Sequence, residues 1–157
     1  MLLIDIEVMW VAKKVWIFLL LTLVIGYSIS ISGKKGKTEN VVITGESRNF
    51  KESEINTAVA RVRKEFKDFV HCEMTRLYYD EEKSNREIKN YFKENQEIKN
   101  VKNADKNDFI VLYSDFEVGL ENNQNSGFTP GSNYTNWMWL LKKGHFGNSW
   151  EIVTFGV

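Results

Sequence analysis

An apolar run near the start of the chain limits what the rest can be. Lys13 and Lys14 precede the unbroken run Val15 to Leu21, which resumes after Thr22 as Leu23, Val24 and Ile25 and gives way to Gly26-Tyr27-Ser28-Ile29-Ser30-Ile31-Ser32. Basic, then apolar, then small and polar is the order of a secretory signal. At about −0.3 to −0.6 kcal/mol per Leu, Ile, Phe or Val, roughly nine such residues contribute on the order of −3 to −5 kcal/mol, which favours partition into a bilayer. As a helix, Val15 to Ile25 covers about half of a ~30 Å hydrocarbon core, and extension to Ile31 barely spans it. That length suits a cleaved signal and a retained anchor equally. No cysteine directly follows the run, which excludes a lipid-modified cysteine anchor. Asp5 and Glu7 are unusual in a signal's leading region, whereas a start at Met9 would give Met-Trp-Val-Ala-Lys-Lys. Residues 1–32 are therefore expected to be a signal or membrane-anchor segment, with the remainder at the cell membrane or secreted, outside the cytoplasm. Against this stand Lys34, Lys35 and Lys37, which outnumber the lysines ahead of the run and favour an anchored domain facing the cytoplasm.

The chain beyond Ser32 has room for one hydrophobic core. In the 157-residue chain 21 Lys and Arg balance 21 Asp and Glu, so no basic surface is expected to track a phosphate backbone and nucleic acid is not an expected partner. Residues 33–44, basic and glycine-bearing, read as a tether. Residues 45–157 read as an α+β domain. Asn49 with Glu52 has the spacing of a capping box, and Ile55, Val59, Val62, Phe66 and Phe69 recur every three or four residues, predicting an amphipathic helix of about five turns. Arg61, Lys64, Glu65 and Lys67 then form its solvated face. Cys72 to Tyr79 is rich in β-prone residues, and Ser84 with Glu87 repeats the capping-box spacing ahead of Ile88, Tyr91 and Phe92, predicting a shorter helix.

The second half alternates with period two. Ile110, Leu112, Ser114, Phe116, Val118 and Leu120 share one face and Asp115 and Glu117 the other, predicting a strand over Phe109 to Glu121 that is solvated on one side. A loop over Asn122 to Asn133, a strand over Tyr134 to Lys142, a turn and a last strand over Trp150 to Phe155 complete an antiparallel meander. The expectation is two amphipathic helices packed on one face of a curved antiparallel sheet of about four strands.

Phe66-Lys-Asp-Phe69, Cys72-Glu-Met-Thr-Arg-Leu-Tyr-Tyr-Asp80, Ile110-Val-Leu-Tyr-Ser-Asp-Phe116 and Tyr134-Thr-Asn-Trp-Met-Trp-Leu-Leu141, closed by Trp150 and Gly156, occur in order along the chain. In these motifs it resembles a group of exported or lipid-anchored domains of unknown function in Gram-positive bacteria. The resemblance covers about Glu46 to Val157 and implies a cystatin-like or nuclear-transport-factor-2-like cone fold, without implying an activity. The chain departs from the group in lacking the lipobox cysteine and the acidic-aromatic ending.

Few residues here carry chemistry. A metal site needs several converging ligands, but His71 and Cys72 are strand neighbours facing opposite ways, and His145 has no ligand partner at i+3 or i+4. Neither a metal nor a cofactor is expected. Cys72 has no base on its own face, and a triad of Ser114, Asp115 and His145 is disfavoured because Ser114 falls in mid-strand on the apolar face, without a nucleophile turn. No catalytic residue is assigned. Cone folds can hold a pocket between helix and sheet, and there Asp115 would be the base of a small-pocket isomerase or dehydratase, the competing reading to a solvent-facing carboxylate. The leading expectation is a non-catalytic module that binds a protein or a small ligand. Its candidate binding residues are Tyr134, Trp137, Met138 and Trp139, with Tyr113 and Asp115. By parity Trp137 and Trp139 share one face of their strand and Tyr134, Met138 and Leu140 the other, so one apolar face needs a helix or a partner to cover it. A reporter that works only outside the cytoplasm, fused after Val157, should be active, and activity confined to a cytoplasmic reporter would reverse the orientation.

Overall fold

The strand Phe109–Val118 is apolar on both parities, and this organises the domain. Ile110, Leu112, Phe116 and Val118 point into one cluster of buried side chains, Phe109, Val111 and Tyr113 into another. A sheet with two such faces needs cover on each.

The computed structural model describes residues 35–39, 42–44, 47–98, 101, 103–121, 127–145 and 149–156. The chain separates into two units, Met1–Lys35 and Gly36–Val157, and every described element belongs to the second. The expected signal or anchor segment lies outside the described residues. In chain order the elements are β1 (Val42–Thr44), α1 (Glu52–Phe66), β2 (Cys72–Tyr79), α2 (Glu81–Glu94), a 3-10 turn (Lys106–Asp108), β3 (Phe109–Val118), β4 (Asn133–Lys143) and β5 (Trp150–Gly156). The sheet order is β1-β2-β3-β4-β5. The last four strands are antiparallel, and β1 joins β2 in parallel, pairing Val42 with Arg76 and Thr44 with Tyr78. The domain is thus α+β, with two helices on a four-stranded antiparallel sheet and a short parallel strand at its edge.

That edge strand comes from the segment read as a tether. Upstream of it, the Lys37 N–H donates to the Cys72 carbonyl and its own carbonyl accepts from the Met74 N–H, both at 2.9 Å. Gly36 is needed at this approach, because a Cβ there would stand 2.1 Å from the Phe66 carbonyl oxygen.

The helix periodicities hold as far as Phe66, where α1 ends and leaves Phe69, expected on its apolar stripe, in the turn beyond; both starts also differ from the expected ones. α1 buries Ile55, Ala58, Val59, Val62 and Phe66 against the sheet. Its cap is not the Asn49/Glu52 pair. Glu54 accepts from the Lys51 N–H at 2.9 Å, while Ser47 Oγ accepts from the N–H groups of Asn49 and Phe50. The Lys51 hydrogen bond is the largest cause of the lowered Glu54 pKa. α2 starts at Glu81 instead of Ser84, because Asp80 accepts from the Lys83 N–H at 3.0 Å and so caps the helix. Ser84 is buried, and its Oγ accepts from the Val111 N–H at 3.0 Å, bonding β3 where β2 has ended.

The helices cover opposite faces of the sheet instead of the same face. α1 packs with Leu77, Ile110, Leu112, Trp139 and Leu141, whereas Ile88, Tyr91 and Phe92 of α2 pack with Tyr78, Phe109, Val111 and Leu140. Asp115 and Glu117 suggested a solvated face, but they lie in the distal part of β3. The proximal part of that face is closed by α2. Leu120 lies past the strand end and is 84% exposed, so the apolar row stops at Val118.

Phe66 has no exposed surface and contacts the rings of Phe69 and Phe116, at 4.9 and 5.4 Å between centroids. Phe66→Ala should cost about 3 to 5 kcal/mol in urea denaturation, a large share of a total of about 5 to 15 kcal/mol. Lys64→Ala, on the exposed side of the same helix, should change stability by less than about 0.5 kcal/mol. Equal effects would place α1 in the wrong phase.

Candidate functional site

The six candidate residues converge on the far half of the sheet, where two bulges flank Asp115. On one side β2 carries an extra residue at Thr75, between the pairs Met74 with Phe116 and Arg76 with Asp115. On the other, β4 carries an extra residue between the pairs Ser114 with Trp137 and Phe116 with Tyr134. Asn136 sits in that second bulge with φ of 57°, a left-handed conformation that Asn tolerates better than most residues.

Side chains hold both bulges in place. Thr75 Oγ1 donates to the Asp115 carbonyl at 3.1 Å, and Asp115 Oδ1 accepts from the Asn136 N–H at 2.8 Å. The Tyr78 hydroxyl donates to Asn136 Oδ1, and Lys83 Nζ donates to the same oxygen at 3.4 Å. Arg76 lies 3.8 Å from Asp115 Oδ2. Asp115 is therefore neither a solvent-facing carboxylate nor a base in an apolar pocket: its oxygens face a backbone donor and a guanidinium and fix the bend of the sheet.

The bulge in β4 also redistributes the aromatic residues. Tyr134, expected beside Met138 and Leu140, crosses to the face of Trp137 and Trp139, and Met138 remains on the α2 face with Tyr113 and Asp115. The six candidates thus form two sets of three on opposite faces.

On the α1 face the helix stops at Phe66, and beyond it aromatic rings lie over the sheet. Tyr134 stacks on Phe116 at 5.0 Å and 10°, Phe69 lies 5.0 Å from Phe128, and Phe155 lies 5.1 Å from Trp139 and 5.6 Å from Phe69. Trp139 is fully buried and its indole N–H donates to Ser114 Oγ at 2.8 Å, so it supports this layer from beneath instead of presenting a surface. Phe128, Tyr134 and Trp137 are half-buried, and Phe155 is 43% exposed. Together they make an aromatic shelf. The Trp137 indole N–H within it is buried without a hydrogen-bond partner.

On the α2 face Tyr113 and Tyr78 stack at 5.5 Å. The Arg76 guanidinium lies 4.0 Å from the Tyr78 ring, and the Lys83 ammonium lies 5.6 Å from both rings. Such cation–ring contacts contribute about 0.5 to 1 kcal/mol each when exposed. The Tyr113 hydroxyl is buried without a partner, and burial, with the Glu87 carboxylate adding, holds its pKa well above the usual phenol value. This face is already occupied by its own cations.

The chemical groups considered from sequence are dispersed. Cys72 lies in the α1-face core, where burial pushes its thiol from 9.0 up to about 11. His71 has φ of 59° and places Nδ1 3.4 Å from Glu121 Oε1, away from the thiol. Ser114 is engaged by Trp139, and among the described residues no three His, Cys, Asp or Glu side chains converge as metal ligands do. Sequence reasoning missed Phe128, Phe155, Arg76, Tyr78 and Asn136. Phe155 had a signal, since it ends a strand predicted to pair with the aromatic one. Tyr78 and Asn136 had none, because the bulges that set their direction depend on neighbouring strands.

Compared with known protein families, curated proteins and solved structures, the chain matches none.

The buried thiol has consequences that can be measured. A disulfide reagent at pH 8 should label Cys72 slowly in the folded domain and rapidly in urea, and rapid labelling of the folded form would contradict its burial. The unfolded thiol ionises near 9.0 and the folded one near 11. The stability linked to this proton is therefore complete below about pH 9 and is lost as pH rises toward 11. Tyr113 adds a loss of the same sign, so Cys72→Ala should reduce the alkaline slope without abolishing it.

Proposed function

We propose that the chain is a membrane-tethered or secreted bacterial protein whose folded domain is a non-catalytic binding module, with the aromatic shelf of Phe128, Tyr134, Trp137 and Phe155 as its contact surface. The observation that carries this reading is a contrast between the two ends of the α1 face. Between α1 and the sheet Phe66, Leu77, Leu112, Trp139 and Leu141 are fully buried. Beyond the helix end four aromatic side chains remain partly uncovered. Trp and Tyr are enriched where interfaces concentrate their energy, and a ring that already rests on other rings loses little freedom when a partner closes over it.

The reading includes a cone-type fold of the cystatin-like or nuclear-transport-factor-2-like kind. A long helix laid across an antiparallel meander supports it, as does the order of motifs along the sequence. The parallel edge strand and the second helix on the opposite face are additions to that plan. Placement outside the cytoplasm rests on the basic, apolar and small-residue order of residues 13 to 32. A small-pocket enzyme would need Asp115 to face a pocket, whereas its Oδ1 accepts from the Asn136 N–H within the β4 bulge.

The test is peptide selection on the immobilised full chain, followed by affinity measurement on the peptides recovered. Binders should carry aromatic or large apolar side chains. Phe155→Thr should weaken them by more than tenfold, as a residue contributing about 2 kcal/mol does, with little change in thermal midpoint. Asp115→Asn should leave binding intact. Binders indifferent to Phe155 and Trp137, or a turnover activity abolished by Asp115→Asn, would overturn the proposal.

A further inference from the structure

A second surface lies away from the shelf, along α2. Two adjoining grooves of about 810 and 220 Å³ border this helix, and Lys89 and Lys106 line both. Their walls are one-sided in charge: Arg86, Lys89, Lys93, Lys106 and Lys143 face them, and Glu97 is the one carboxylate among the described residues of the lining. The whole chain is formally neutral, so this is segregation of charge and not a reflection of composition. Arg86 is paired with Glu87 at 3.4 Å and Lys143 with Glu54 at 3.1 Å. Among the described residues Lys89, Lys93 and Lys106 have no carboxylate partner, and the Lys106 ammonium instead lies 5.4 Å from the Phe92 ring.

The remaining lining narrows the ligand class. Asn85, Asn90, Gln96 and Asn107 stand among the lysines. A carboxamide both donates and accepts, which matches the N–H and C=O of an extended backbone; phosphate oxygens accept only and would leave the carboxamide oxygens unused. Ile88 and Phe109 are buried beneath the lining, and the half-buried Phe92 is its partly exposed apolar member. Cations and backbone-matching amides line both grooves, which meet at Lys89 and Lys106.

We propose that these adjoining grooves dock an acidic polypeptide segment, with carboxylates meeting Lys89, Lys93 and Lys106, the main chain meeting the carboxamides, and an apolar side chain resting on Phe92. Lysine ammonium groups act as mobile point charges, so they select for charge pattern and speed encounter more than they impose a fixed geometry. The partner is therefore recognised as an acidic stretch with interspersed apolar residues.

Fluorescence anisotropy on the full chain in mild detergent, with a labelled peptide of alternating Glu and Ala that lacks the large apolar side chains the shelf selects, tests this. Binding should saturate and should weaken as salt is raised. Lys89→Glu combined with Lys106→Glu should weaken it at least about tenfold with an unchanged thermal midpoint. Lys64→Glu on α1 and Phe155→Thr on the shelf should leave it unaltered, and an alternating Lys and Ala peptide should not bind. Loss of binding with Phe155→Thr would assign the peptide to the shelf and overturn the proposal. Indifference to the lysine reversals, or equal binding of the basic peptide, would also overturn it. So would capture of phosphatidylglycerol vesicles or polyphosphate, but not the acidic peptide, through the same lysines, which would make the groove a phosphate-binding surface.

Discussion

The burial of β3 on both sides is the constraint on which the rest of the domain depends. A strand that sends Ile110, Leu112 and Phe116 one way and Phe109, Val111 and Tyr113 the other leaves neither sheet face free for water. Each face therefore takes a helix, and the chain supplies them in turn, α1 before β2 and α2 between β2 and β3. Ser84 shows how tightly the second helix is tied to this strand. Its hydroxyl accepts the Val111 N–H where β2 has run out, a buried donor that would otherwise cost about 1 to 3 kcal/mol.

The second organising element is the pair of bulges around Asp115. One carboxylate, one carbonyl and one left-handed asparagine bend the sheet at the same level on both sides of β3. Past that bend α1 has ended and strand parity is reversed in β2 and β4, which brings Tyr134 round to join Trp137. A third shift, at Val153 of β5, places Phe155 on that same face. The shelf is a product of these phase changes. Without them Tyr134 and Phe155 would point to the opposite side, and the shelf would keep only Phe128 and Trp137 of its four rings.

The candidate residues divided according to how local their determinants were. Trp137 and Trp139 were read correctly as sharing a face, because no bulge separates them. Tyr134 takes the opposite face to the one its parity predicts, since its direction depends on an extra residue whose place is set by pairing with β3. The α2 grooves had no sequence signature. Their lysines lie in mixed-charge stretches that read as ordinary solvated surface, and only the fold brings Lys106 beside Lys89.

By itself the sequence determined the class of the domain, the α1 and β2 to β5 segments and most of the core, because periods of 3.6 and 2 are local consequences of backbone geometry. It also placed the basic, apolar and small-residue order at the front of the chain, which needs no fold to be read. The tertiary structure decided which face each helix covers, where each helix begins, and that residues 42–44 pair in the sheet. Those outcomes turn on hydrogen bonds between distant residues, Glu81 to the Arg48 N–H at 2.7 Å and Ser84 to Val111 among them. It also decided which aromatic rings stay uncovered. A side chain's direction along a bulged strand depends on the register of its neighbours, and register is set only when the whole sheet has closed on its two helices.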